Sequence, residues 1–332
     1  MSIVNLLRPR SIAVAGATER LGFSGSVCKN LSLSDVADTT YFINPKRDQV
    51  FGKACFKSLE EIKDPIDLTV ICIPKAEVTN ILRQMANIGC HAAVLFASGY
   101  SETGKAEDKR DEEELLRLCK EFDISLMGPN CAGFVSYVAG VPAFGLDVEK
   151  IESHGKVGLI AQSGQICITM MQMEVLDFSY VVSAGNSSVL TMEDYLDFMV
   201  EDPDTGVITL YMEGITNPER FIEILVKARK KKKPVVVLKT GSSQKGMQIA
   251  SSHTGSLAGS DKSFDAIFRK YGVIRVVDIQ ELITTALLLS TIKNLPDKPT
   301  FASMNLSGGE TSVCADLAER CGLCVPDFAP ET

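Results

Sequence analysis

The sequence predicts an α/β protein of doubly wound, mainly parallel sheets. Three observations carry this. Short β-branched runs alternate with longer amphipathic stretches along most of the 332 residues. The runs are apolar without a break, as in Asp67-Leu-Thr-Val-Ile-Cys-Ile73, the pattern of strands covered on both faces. Several of them end in Gly- or Pro-containing turns, the rim on which open α/β sheets bind ligands.

The elements follow in order. Strands are expected at Ser11–Gly16, Thr39–Ile43, Asp67–Ile73 and His91–Ala97, and in a run ending at Met127. A helix near Ser24–Leu31 follows the first strand, and further helices follow Glu77 and Glu107. This block ends near residue 145. The pattern restarts at Gly155–Gln162, with strands near Tyr180–Ser183, Val207–Glu213, Pro234–Lys239 and Val273–Val277. Helices fit Gly164–Leu176, Met192–Val200, Pro218–Lys232, Asp261–Tyr271 and Ile279–Ile292. Pro296-Asp-Lys-Pro299 reads as a linker. Thr300–Leu306 and Gly308-Gly309 then open another strand–turn–helix unit, which stops at Thr332. The expected division is 1–145, 146–295 and 296–332.

Composition narrows the function. Hydrophobic residues make up 45% and charged residues 23%, which excludes a disordered or low-complexity chain. The net charge of -8 argues against sequence-independent nucleic-acid binding, although a local basic pocket for a phosphorylated ligand is allowed. No run of about 20 apolar residues suggests a membrane span, and the N-terminus lacks a signal-peptide pattern, so the cytoplasm is the expected location. The ten cysteines lie mostly inside apolar runs and read as reduced core residues. Cys321-Gly-Leu-Cys324 is a single close pair without the second pair or histidines of a zinc site, so no metal is expected. Lys227–Lys233 reads as the exposed end of a helix, where cations suit the dipole.

The first turn, Gly16-Ala-Thr-Glu-Arg-Leu-Gly22-Phe-Ser-Gly25, joins a strand to a helix as a phosphate cradle does. Its spacing departs from the dinucleotide fingerprint, whose second glycine falls at Thr18. The second strand ends in Asn44-Pro-Lys46-Arg47 rather than in an acidic residue that holds a ribose diol. Cations there suit a ribose phosphate, as in NADP or in coenzyme A, or simply a solvated turn. Pro74-Lys75, Ala97–Gly104 and Gly128-Pro-Asn130-Cys131 end the next strands on the same rim.

His253 is one of three histidines and sits in a loop of small residues, Ala250-Ser-Ser-His253-Thr-Gly-Ser-Leu-Ala-Gly259-Ser-Asp261. Such a loop lets an imidazole be approached and lets it move. His91 and His154 read as structural. Gln162-Ser163-Gly164 ends a strand and starts a helix, which suits a phosphoryl group. Glu213 ends a strand, and a carboxylate beside imidazole fixes its tautomer and raises its basicity. Together these residues suggest a phosphohistidine relay.

These motifs, with Asp202-Pro-Asp-Thr and Tyr211-Met-Glu213-Gly, resemble the NDP-forming acyl-CoA synthetases, the ADP-forming acetyl-CoA synthetase branch of the succinyl-CoA synthetase superfamily. The resemblance covers nearly the whole chain. It implies a Rossmann-like CoA-binding domain, a flavodoxin-like ligase domain and the start of a third, flavodoxin-like domain. It further implies that His253 is phosphorylated and stabilised by Glu213, and that Gln162, Ser163 and Gly164 hold phosphate. Gly16, Ala17, Thr18, Asn44, Pro45, Lys46 and Pro74 would contact CoA, with Asn130 and Cys131 near its thiol end. The implied reaction is acyl-CoA + phosphate + NDP ⇌ carboxylate + CoA + NTP. Its nucleotide step uses an ATP-grasp domain with Mg²⁺ and ADP or ATP, which this sequence lacks. The chain is therefore expected to be a fragment or a short alpha-type subunit, acting on CoA and a small carboxylic acid within a heteromer or dimer. Two alternatives stay open: a CoA-binding regulatory module without turnover, and an NADP-linked oxidoreductase.

Overall fold

The structure, a computed structural model, describes residues 3–149, 151, 154–246, 261–292, 294, 300–328 and 330. It forms two compact units, Met1–Ser290 and Thr291–Thr332. The larger unit holds two seven-stranded sheets.

The first sheet comprises β1 (Ile12–Ala15), β2 (Thr40–Ile43), β3 (Gln49–Val50), β4 (Lys53–Phe56), β5 (Leu68–Ile71), β6 (Ala92–Leu95) and β7 (Ser125–Met127). Their order is β3-β4-β2-β1-β5-β6-β7. Every pairing is parallel except that of the two-residue β3 with β4. Without β3 this is the 3-2-1-4-5-6 order of a Rossmann sheet, whose ligand crevice lies where the order reverses, at the carboxyl ends of β1 and β5. Helices α1 (Ile3–Leu7), α2 (Phe23–Ser32), α3 (Lys75–Ile88) and α4 (Ala106–Glu121) accompany it.

The second sheet comprises β8 (Gly133–Ser136), β9 (Val141–Phe144), β10 (Val157–Ala161), β11 (Phe178–Ser183), β12 (Val207–Met212), β13 (Val235–Lys239) and β14 (Ile274–Val276). Its order, β14-β13-β12-β10-β11-β8-β9, contains the parallel 2-1-3-4-5 arrangement of flavodoxin-like sheets. The helices are α5 (Gly164–Gln172), α6 (Met192–Glu201), α7 (Pro218–Lys230), α8 (Asp261–Tyr271) and α9 (Ile279–Thr291). Leu6, Val94, Phe134, Ile160 and Tyr195 belong to one contiguous apolar core, so the two sheets share their packing.

Three features depart from the sequence reading. Strands β3 and β4 were not expected, because their runs are short and mix polar or charged residues with apolar ones. The hairpin β8–β9 was not expected either, and it pairs antiparallel with β11. Pro142 cannot donate to a ladder and so sits on the edge strand β9. Gly133 (φ 87°) is needed because a Cβ there would lie 2.1 Å from the Ala143 carbonyl. Finally, the strand expected at Thr300–Leu306 reduces to a single bridge between Thr300 and Cys324. A strand needs neighbours to hydrogen-bond, and among the described residues of the smaller unit only Cys324 supplies one, its carbonyl accepting from the Phe301 amide at 2.8 Å. The helix that follows, α10 (Gly308–Arg320), is capped by the Ser307 hydroxyl, which accepts from the Glu310 amide at 3.2 Å.

The Asp202-Pro-Asp-Thr motif is a structural clamp. Asp202 accepts from the amide and the hydroxyl of Thr205, each at 2.9 Å. Arg8 pairs with both Asp202 and Asp204 and donates to the Tyr180 hydroxyl at 2.6 Å. This clamp ties the N-terminal segment to the second sheet at the amino end of β12, away from the ligand rim.

Candidate active site

At the carboxyl end of β1, Gly16 adopts φ 86°, and a Cβ would lie 2.5 Å from the Cys72 carbonyl. The amides of Gly16 and Ala17 both donate to the Ile43 carbonyl, at 2.9 and 3.1 Å. Asn44 closes the arrangement, since its Nδ2 donates to the Ala17 carbonyl at 2.8 Å and its Oδ1 accepts from the Lys46 amide at 2.9 Å. The first two amides of the glycine turn are thus committed to fastening β1 to β2. An anion would instead meet the part of the turn that leads into α2. There Thr18 accepts from the Arg20 amide at 3.2 Å, and Gly25 lets the Arg20 carbonyl approach. Pro45 and Lys46 are exposed. Pro74 precedes α3 and accepts from the Glu77 amide at 2.9 Å. Lys75 is occupied, because its Nζ lies 2.7 Å from the Gly99 carbonyl and 2.6 Å from both Asp108 and Asp111.

On the second sheet, Gln162 follows β10 and Glu213 follows β12. The Gln162 Oε1 accepts from the amides of Glu213 at 2.6 Å and Gly214 at 3.1 Å. The side chain therefore fixes the turn that carries the buried Glu213. Ser163 caps α5 in extended conformation without using its hydroxyl as a cap. Gly164 faces Ala132, whose Cβ would be 2.9 Å from an added methyl.

The Gly128–Asn130 turn contains a cis Gly128–Pro129 bond, and Asn130 takes φ 56°, a conformation asparagine tolerates better than most residues. The Asn130 amide donates to the Ala97 carbonyl at 3.0 Å. Cys131 is buried, and its thiol donates to the Leu95 carbonyl at 3.4 Å. Burial pushes that thiol up to about 12, so it is protonated and a poor nucleophile at neutral pH.

Of the site residues expected from the sequence, Asn130, Cys131 and Gly164 come together at one cavity of about 440 Å³, whereas Gly16, Ala17, Thr18, Asn44, Pro45, Lys46, Pro74, Gln162, Ser163 and Glu213 do not line it. Its wall includes Phe23, Ser24, Ile73, Asn130, Cys131 and Gly164, drawn from α2 and from the carboxyl ends of strands in both sheets. Phe23 stacks edge-on against Phe96 at 5.9 Å and closes one side. A larger cavity, about 870 Å³, lies against the end of α5. Asp147, Glu149, Glu174 and Asp177 line it, and four carboxylates disfavour a polyphosphate. The smaller cavity is the better candidate on chemistry.

His253 lies outside the described residues. His91 contacts the Phe122 carbonyl through Nδ1 at 3.2 Å, and His154 is exposed. Among the described residues, no group of three or more His, Cys, Asp or Glu could hold a metal ion, and no helix is long and apolar enough to cross a membrane.

Comparison with known proteins agrees with this geometry. Residues 10–136 match a CoA binding domain model, and residues 154–289 match a succinyl-CoA ligase like flavodoxin domain model. The alpha subunit of acetate–CoA ligase [ADP-forming] II from Pyrococcus furiosus is 34% identical, over 98% of this chain and 70% of the subunit. The chain belongs to the ADP-forming acetate–CoA ligase family. Acetate–CoA ligase [ADP-forming] I of Archaeoglobus fulgidus is 33% identical over 98% of this chain. The chain covers 47% of that ligase, and spans about half the length of the first curated relatives it matches. The dinucleotide forming acetyl-coenzyme A synthetase 1 of Ca. Korarchaeum cryptofilum, solved with phosphate and ADP, superposes with a TM-score of 0.87 at 28% identity. That match covers 99% of this chain and 70% of the synthetase.

Within this member of the acetate–CoA ligase family, three residues that sequence reasoning passed over also shape the site. Glu193 is buried and accepts from the amides of Thr216 and Asn217, both at 2.7 Å, which holds the turn beyond Glu213. Glu102 and Asn186 bind the loops around Asn130. The only sequence signals for them were a glutamate in the glycine-rich Ser98–Gly104 stretch and an asparagine after Gly185.

Proposed function

We propose that this chain is the CoA-binding and phosphohistidine-bearing, alpha-type part of an NDP-forming acyl-CoA synthetase. Inorganic phosphate attacks the thioester carbonyl, CoA leaves as its thiolate, and an acyl phosphate forms. His253 then takes the phosphoryl group and the carboxylate departs. An ATP-grasp part on a beta-type domain or subunit passes the phosphoryl group to NDP with Mg²⁺. On this reading residues 1–145 bind CoA, 146–295 carry the phosphohistidine loop and 296–332 open a third flavodoxin-like unit. Gly16, Ala17, Thr18, Asn44, Pro45, Lys46 and Pro74 shape the CoA site. Gln162, Ser163 and Gly164 hold phosphate, with Gln162 acting also through Glu213, and Asn130 and Cys131 flank the thiol end.

The observation that carries this reading is the 440 Å³ cavity at which the Ile73 turn and α2 of the first sheet meet Gly164 of the second. A thioester carbonyl and a phosphate held at a helix N-terminus can be brought together there. The match to alpha subunits and to a CoA binding domain supports it.

Calorimetric titration with CoA and NADP tests the assignment. CoA binding without NADP binding is the expected result. Binding of NADP and not of CoA would overturn it in favour of an oxidoreductase.

A further inference from the structure

The loop that follows β11 grips the Gly128–Asn130 turn. Gly185 (φ 61°) packs so closely that a Cβ would lie 2.4 Å from the Pro129 carbonyl. The Asn186 amide donates to that carbonyl at 2.9 Å, and the Ser188 amide donates to the Gly128 carbonyl at 3.3 Å. The Ser188 hydroxyl donates to Glu112 at 2.5 Å. Side chains continue the contact. Glu102 Oε1 accepts from the Gly99 amide at 2.6 Å. Glu102 Oε2 accepts from the Tyr100 amide at 3.1 Å and from Asn186 Nδ2 at 2.6 Å. Asn186 Oδ1 in turn accepts from Asn130 Nδ2 at 3.2 Å.

This chain of hydrogen bonds has a direction. A carboxylate can only accept, so it orients the Asn186 amide group with nitrogen toward Glu102 and oxygen toward Asn130. That oxygen then draws the nitrogen of Asn130. The carbonyl oxygen of Asn130 is left over, with no partner among the described residues, in a side chain that lines the 440 Å³ cavity. We propose that Glu102 is a positioning residue which, through Asn186, makes Asn130 meet the bound ligand as a hydrogen-bond acceptor. The complementary ligand group is a donor at the pantetheine end of CoA, either its terminal amide N–H or its thiol S–H. The identity of the ligand rests on the function proposed above, whereas the relay itself does not.

A polarity reversal tests the relay. Asn130→Asp keeps an acceptor toward the ligand but sets a second acceptor against Asn186 Oδ1. In Glu102→Gln the shorter bond from the Gly99 amide keeps the Gln oxygen in place, so the Gln nitrogen faces Asn186, at the expense of the longer bond from the Tyr100 amide. Asn186 is then free to turn over and donate to the carboxylate introduced by Asn130→Asp. CoA affinity, measured by calorimetry on the full chain, is expected to fall about tenfold in Asn130→Asp and to recover to within about threefold in the double variant. Removing one negative charge near another could also produce recovery, so the same pair is repeated on Asn186→Ala. The relay requires that recovery disappear there, and recovery that persists overturns it. Desulfo-CoA separates the two donors, because an effect of Asn130 on CoA alone assigns the thiol and an equal effect on both assigns the amide. The melting temperatures of all these variants report the same cycle without ligand. A cycle that shows rescue in stability while the wild type ignores CoA overturns the proposed function and keeps the relay. No rescue in either readout overturns the relay alone.

Discussion

Replacing Gln162 with Leu should separate phosphoryl chemistry from CoA binding. The Gln162 oxygen is the acceptor for two amides, those of Glu213 and Gly214. Leu fills a similar volume but accepts nothing. A part-buried amide that loses its partner costs about 1–1.5 kcal/mol, so the pair amounts to about 2–3 kcal/mol. For a unit of this size that corresponds to a fall in melting temperature of about 3–5 °C. The turn would relax to find other partners and carry the Glu213 carboxylate with it. Labelling of the chain by radioactive phosphate in the presence of acetyl-CoA should then fall at least about tenfold, since a displacement near 1 Å costs that much or more. CoA affinity should stay within about twofold, because Gln162 does not line the 440 Å³ cavity. Gln162→Glu is the companion variant. It keeps an acceptor for the two amides and most of the stability, but its negative charge should still suppress phosphate labelling. Unchanged stability together with unchanged labelling in Gln162→Leu would refute the reasoning.

Other variants test other joints of the site. Gly16→Ala forces a methyl into a left-handed residue, 2.5 Å from the Cys72 carbonyl and 2.8 Å from the Ile73 side chain. A loss of about 2–4 kcal/mol is expected, with CoA binding weakened at least about tenfold in calorimetry; a stable variant that binds normally contradicts the assigned turn. Iodoacetamide at pH 8 should modify the exposed Cys321 and Cys324 and spare Cys131, whose buried thiol is pushed up to about 12, as peptide mass mapping can check. Burial raises the Glu102 carboxyl, but hydrogen bonds from Asn186, Gly99 and Tyr100 outweigh it and hold the group below its ordinary value of 4.5. A folded-state value below the unfolded one gives stability that is full above about 4.5 and is lost as pH falls through the folded value. The melting-temperature gap between wild type and Glu102→Gln should therefore be constant from pH 8 to about 5.5 and shrink below about 4.5. A gap that widens on acidification would reverse the sign of that linkage.

The parallel strands were legible in the sequence because each is a continuous apolar run between helices with their own period. Ile12–Ala15 and Leu68–Ile71 are wholly buried, and this is the signature that was read. The hairpin of Gly133–Ser136 and Val141–Phe144 was not legible, because a strand that joins the next sheet through Tyr180–Ser183 pairings is a long-range event. At the site, the glycines and Glu213 stood out by their positions after strands. Which amides were free did not. Gly16 and Ala17 looked like anion donors until the Ile43 carbonyl was found in front of them. The oxygen of Gln162 is spent on the amides of the Glu213 turn, a commitment that no local pattern in the sequence announces. Glu102 and Asn186 are 84 residues apart, so no local pattern links them. Motif spacing marks the rim of such a site, whereas the direction of each hydrogen bond is decided by residues distant in sequence, on a neighbouring strand as for Ile43 and Glu213 or beside the other sheet as for Asn186.

The most direct test of the central claim is the covalent state of His253. The chain is incubated with acetyl-CoA and labelled phosphate, and the modified residue is mapped. A base-stable, acid-labile phosphate on His253, absent from His253→Asn, is the result predicted by the phosphohistidine account. CoA binding of ordinary affinity with no phosphate on any residue would contradict it and leave a binding module without turnover.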